Sequence, residues 1–201
     1  MDTDSLLAAV REENATALDR LGSDKALLAA TNAQLETDAV LGVTASTLAA
    51  ASDTAAAWAD KTSGEAADAL GRAAETYADA RDRVTEEGTD ASADPVFLRL
   101  DAAGDCERVA AATVAAPLVL DRLLLQCVSF FVNEADTARA DRFRDVREQC
   151  DDLLDDGAAA AAAVCDSQEA AVGAATATIE AAYDDYAARL DAMGFDPKPI
   201  C

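Results

Sequence analysis

Alanine occupies 52 of the 201 positions, against five Phe, three Tyr and one Trp. That proportion constrains the fold more than any other feature of the chain. Alanine is the best helix former, and only four prolines, at 95, 117, 197 and 199, interrupt the chain. Each alanine buries little area, so a core built this way is thin and extended even though 51% of the residues are hydrophobic. The length is enough for one compact domain with a true interior. Helical periodicity runs almost throughout, and no stretch alternates as a strand does.

Charge is the second constraint. Thirty-nine acids stand against 16 bases, a net charge of −23. Twenty-seven of the acids are Asp, and only Lys25, Lys61 and Lys198 are lysine. Such a surface repels itself in dilute buffer, and at roughly 1 M salt, where the Debye length is about 3 Å, that repulsion is screened. Abundant Asp, scarce Lys and Ala in place of larger apolar residues read as adaptation to a salt-filled cytoplasm. The same charge gives no general attraction for nucleic acid or anionic lipid, and high salt weakens phosphate contacts further.

Cysteines fall at 106, 127, 150, 165 and 201, an odd number with no C-x-x-C spacing and no His anywhere in the chain. The pattern argues against a zinc site or a disulfide framework and for mostly buried cytosolic thiols. The start, MDTDSLL, lacks a basic leader region. The longest apolar run, 114 to 132, is broken by Asp121 and Arg122 and falls short of the unbroken ~20 residues of a membrane span.

Spacing predicts the elements. A first helix, capped at Thr3 or Asp4, carries Leu7, Val10, Ala17 and Leu21 to GSD at 22–24. A second, capped by Ser23 or Asp24, covers KALLAATNAQLE. A third, 38 to 60, turns Leu41, Thr44, Leu48, Ala51, Ala55 and Trp58 inward. A fourth, 65 to 87, sets Ala66, Leu70, Ala73, Tyr77, Ala80 and Val84 opposite Asp68, Arg72, Glu75, Asp79, Asp82 and Glu86, which face water. GTDASADP is a linker. A fifth helix spans Pro95 to Thr113, and Pro117 fits the first turn of a sixth. The sixth has one narrow polar stripe, Arg122, Gln126, Ser129, Asn133 and Asp136, as the central helix of a bundle would.

Past Asp136 the pattern inverts. Phe143, Val146, Cys150 and Leu153 make a narrow apolar line on a charged helix. DDGAAAAAAVCDSQ either breaks or continues it, and its alanine run reads as low complexity. A last helix, 167 to 193, turns Val172, Ile179, Tyr183, Tyr186, Leu190 and Met193 inward. In the transition SFFVNEADTARADRFRDV, Phe130 and Phe131 belong to the core, with Phe130 on the broad apolar face beside Leu123 and Cys127. Asp136–Arg139, Asp141–Arg144 and Arg144–Glu148 are pairs of a solvated face. Arginines 139, 142, 144 and 147 alternate with acids and make a poor nucleic-acid patch.

The absence of His removes Ser-His-Asp and Cys-His catalysis, His metal sites and the usual neutral-pH base. The nine glycines are scattered, so there is no phosphate loop. Carboxylates remain. Glu134 is the weak metal-ligand candidate because it continues the line Leu123, Cys127, Phe130; the alternative is that it marks where the core ends. Tyr183 and Tyr186 flank Asp184 and Asp185 as core tyrosines with outward acids.

Three stretches, LDRLGSDKALLAAT, FFVNEADTARADRFRD and LDAMGFDPKPIC, resemble a family of halophilic archaeal proteins described as rubrerythrin-like, within the ferritin-like bundles. Some of its members carry the name transcription antitermination protein. The resemblance implies an antiparallel helical bundle. In such bundles two irons are held by a Glu on two helices and Glu-x-x-His on the other two. At the matching inward stretch, YADA, this chain has Tyr77 and Ala80; the third helix offers Leu48, Ala51 and Ala55, and Glu75 and Asp79 lie on the wrong face.

The expectation is therefore an all-α chain of six or seven helices, with a ferritin-like bundle at its centre. It forms one domain over 1–201, with helices over 3–87, a linker 88–95, helices over 96–193 and a tail 194–201. It is expected to be non-catalytic and cytoplasmic, with no cofactor, no catalytic residue and no direct nucleic-acid or membrane binding. It acts through a protein partner, and a homodimer is compatible. Two other functions stay open: a transcription antitermination or regulatory factor that binds protein, and a carboxylate-only metal-dependent redox protein.

Overall fold

A computed structural model of the chain describes residues 2–90, 98 and 100–197. The described residues are helical with no strand, an all-α fold of eight helices. They are α1 (Thr3–Glu13), α2 (Ala15–Leu21), α3 (Lys25–Ala30), α4 (Thr37–Ala59), α5 (Gly64–Val84), α6 (Asp105–Asn133), α7 (Thr137–Val164) and α8 (Gln168–Ala192). The count exceeds the six or seven expected.

One added break lies at Asn14, which splits the expected first helix. Its buried amide donates to Val10 O and to Thr176 Oγ1 on α8, both at 2.9 Å. A side chain that bonds a nearby carbonyl competes with the helical ladder. The cap of α1 is Asp2, which accepts from the Ser5 N–H, rather than Thr3 or Asp4. The expected second helix is cut short at Ala30. Asn32 and Ala33 take positive φ, and the Ala33 N–H returns to Leu28 O, the left-handed stop common at helix ends.

The fifth and sixth expected helices are one. Residues 100–104 are not helical, and α6 starts at Asp105 and runs through Pro117; the expected start at Pro95 lies outside the described residues. Pro117 has no N–H, so the Thr113 carbonyl four residues back loses its α-helical donor. The helix accommodates this with a π turn over Ala111–Ala115. The Tyr77 hydroxyl from α5 donates to Ala112 O at 2.6 Å. α7 comes so close that a Cβ at Gly157 would lie 2.2 Å from Thr113 O. Gly157 therefore stands just before the alanine run because two backbones meet there, and α7 continues unbroken to Val164.

α4 packs chiefly on α5, α6 chiefly on α7, and α5 on α7 joins the two pairs. α8 lies along the first half of α6 and is covered by α1, α2 and α3. The inward stripes of α4 and α5 are buried at every expected position, and so is the line Phe143, Val146, Cys150 and Leu153 on α7. By length and composition α6 could cross a membrane, and 67% of its most apolar window is buried inside the fold.

Two expectations about particular residues are corrected. Phe131, fully buried against Phe143 with ring centroids 5.2 Å apart, is the core phenylalanine, whereas Phe130 is only partly buried. Cys106 and Cys165 form a disulfide, contrary to the reading of free thiols throughout. Spacing could not show it, because the bridge joins residues 59 apart through the fold. Cys127 and Cys150 are buried free thiols.

Candidate functional site

The end of α5 meets the α6–α7 turn in a cluster of charges. α6 stops where Ala135 adopts φ 58° and the Asp136 N–H returns to Phe131 O. Asp136 then caps α7, accepting from the Arg139 N–H at 3.0 Å and from its guanidinium. Across the gap, Thr89 fixes the turn after α5: its hydroxyl accepts from the Glu86 N–H, and its own N–H donates to Glu86 O. The Glu86 carboxylate accepts two bonds from Arg139, from Nε at 3.1 Å and from the terminal NH2 at 2.7 Å, and a third from Arg142. Arg139 also lies 5.9 Å from the Phe131 ring centroid.

Glu86 was expected to face water; it is half-buried between two arginines, with 28% of its side chain exposed. The Arg139 hydrogen bond is the main cause that holds its carboxyl below the usual range, with Arg142 adding to it. The Arg139 N–H lowers Asp136 likewise, and Glu86 in turn raises Arg139. A carboxylate so engaged is a poor base. The arginines are committed too: Arg147 bonds Asp121 at 2.6 Å, and Arg144 bonds Asp141. Arg144–Glu148 is not among the ion pairs of the described residues. The segment is thus partly a clamp from α7 to α5 and α6, and only partly a solvated face. Sequence spacing shows pairs within one helix and could not reveal Glu86 as the partner.

The interior between α4 and α5 has a different character. Leu48, Ala51 and Ala55 from α4 and Tyr77 and Ala80 from α5 are fully buried. Burial pushes the Tyr77 phenol well up, and its proton is committed to Ala112 O. Desolvation likewise raises the Cys127 and Cys150 thiols to about 12, which leaves little thiolate near neutral pH. Glu75 and Asp79 are exposed on the far side of α5. There they line an open groove of about 310 Å³ with Arg72, Gln149, Asp152 and Asp156 from the facing edge of α7.

Glu134 is not brought to this interior. It is exposed at the end of α6, and its N–H closes the last turn on Phe130 O. It marks where the core ends. Among the described residues no three Cys, Asp or Glu side chains stand close enough to hold a metal ion. The two-iron arrangement implied by the resemblance does not fit these side chains. Tyr183 and Tyr186 are tied to the N-terminal helices, Tyr183 accepting from Arg20 and Tyr186 lying 3.0 Å from Ser23 Oγ. No family model matches the chain, and neither a curated protein nor a solved structure does.

Proposed function

We propose that this chain is a non-catalytic helical-bundle protein of a salt-rich archaeal cytoplasm. On this reading its ancestry is rubrerythrin-like, its ligand positions have been replaced by packing residues, and it works through contacts with a protein partner. One observation carries the reading: the inward positions Leu48, Ala51, Ala55, Tyr77 and Ala80 are fully buried and bear no carboxylate or imidazole. A bundle metal site draws inward ligands from several helices, and the one polar group among these residues is already bonded to a backbone carbonyl. The commitment of Arg139, Arg142, Arg144 and Arg147 to carboxylates of the same chain favours a protein partner over nucleic acid.

Elemental analysis tests this. Protein purified from its host without chelator, in concentrated salt, is expected to carry only sub-stoichiometric iron, manganese and zinc. One or two metals per chain that survive gel filtration would overturn the reading and return attention to the carboxylates.

A further inference from the structure

Among the described residues, the first turn of α6 has few polar bonds to hold it, and one covalent bond. Its N-cap is Gly104, which offers no side-chain bond to the first turn. The Asp105–Arg108 pair is 3.5 Å long with Asp105 half exposed, and Arg108 Nε has no partner. Burial begins only at Val109. Yet this turn packs between α7 and α8, and the bridge fastens Cys106 to Cys165, the residue that ends α7. Cys106 is partly exposed and Cys165 is 7% exposed. The other described thiols, Cys127 and Cys150, are fully buried.

We propose that the Cys106–Cys165 bridge is a redox latch, reducible by a dithiol in the folded protein, that anchors the first turn of α6 to the α7–α8 turn. The exchange balances in two steps. A thiolate of the dithiol attacks Sγ of Cys106, the more exposed residue; the Sγ–Sγ bond breaks, and Cys165 leaves as a thiolate that takes a proton from water. The second thiol of the dithiol then attacks the mixed disulfide. Its own two sulfurs join, and Cys106 leaves and is protonated. Two electrons and two protons pass from the dithiol to the protein. The first turn is then left with a glycine cap and one exposed ion pair, and frays as far as the buried Val109. The paired α4 and α5 pack chiefly on each other and keep that packing.

The test uses the full oxidised chain in concentrated KCl. Free thiols are first blocked with N-ethylmaleimide. Dithiothreitol is then added under native conditions, and newly exposed thiols are labelled with iodoacetamide and located by mass spectrometry. Hydrogen exchange is followed in parallel. The latch requires labels on Cys106 and Cys165 and none on Cys127 or Cys150. It also requires exchange about tenfold faster or more over Arg108–Ala110, the first amides bonded within the helix, and unchanged over α4 and α5. The double variant Cys106→Ser with Cys165→Ser should show the same exchange pattern without any reductant. Three results would each overturn it: blocking of Cys106 and Cys165 before reduction, labelling of Cys106, Cys127, Cys150 and Cys165 at one rate, or labelling with no change in exchange.

Discussion

At the scale of single residues, Phe130 and Phe131 show how little separates a core position from its edge. Both end the apolar part of α6, but only Phe131 reaches the space lined by Phe143 and covered by Arg139. Truncation of Phe131 to Ala should leave a cavity and cost about 3–5 kcal/mol, and Phe130→Ala markedly less; denaturant midpoints in the same concentrated salt give the comparison. Glu86 supplies a second expectation. Its folded carboxyl titrates below the ordinary value of 4.5 because Arg139 and Arg142 favour the anion. A group lowered in this way adds stability that is fully present above the unfolded value and is lost as pH falls through the folded one. The stability difference between the native protein and Glu86→Gln should therefore hold steady near neutral pH and close as pH drops below about 4.5. A difference that stays constant down to pH 3 would mean that the carboxylate's charge contributes nothing there.

Among the elements, α6 and its contact with α7 set the geometry of the rest. The π turn, Tyr77 and Gly157 are one local solution to a proline inside a buried helix. Gly157→Ala tests it. Alanine is the better helix former by about 1 kcal/mol, so an open site would gain stability. Here the new methyl would meet the Thr113 backbone at 2.2 Å, and a net loss of about 1–3 kcal/mol is expected, as for an overpacked core; chemical denaturation in concentrated salt measures its sign. Much of this level was legible in the sequence. The apolar stripes of α4, α5 and the first half of α7 follow from spacing alone, because an amphipathic helix records its buried face every third or fourth residue. What was not legible depends on pairs distant in the chain. Pro117 looked like a start because the π turn that tolerates it is bonded by Tyr77, 40 positions earlier. The glycine before the alanine run was the visible trace of the α6–α7 contact, an isolated Gly in a helical pattern. The bridge and the Glu86 clamp left no such trace.

For the whole molecule, a small-residue interior is set against a large surface charge. Among the described residues the buried core holds five aromatic side chains, Trp58, Tyr77, Phe131, Phe143 and Tyr186, and is otherwise mostly Leu, Val and Ala. With so little area per residue the hydrophobic margin is narrow, while 39 acids and 16 bases leave −23 charges to repel one another. Ion pairs such as Arg139–Glu86 and Arg147–Asp121 answer a few of those charges, and screening must answer the rest. The direct measurement is thermal unfolding followed by circular dichroism in ~0.1 M and ~3 M KCl, the lower concentration being where the Debye length is about 10 Å. The expected result is a midpoint higher by about 10 °C or more in the concentrated salt, with loosening of the fold in the dilute buffer. Equal midpoints would contradict a fold whose thin core depends on salt to hold its own surface together.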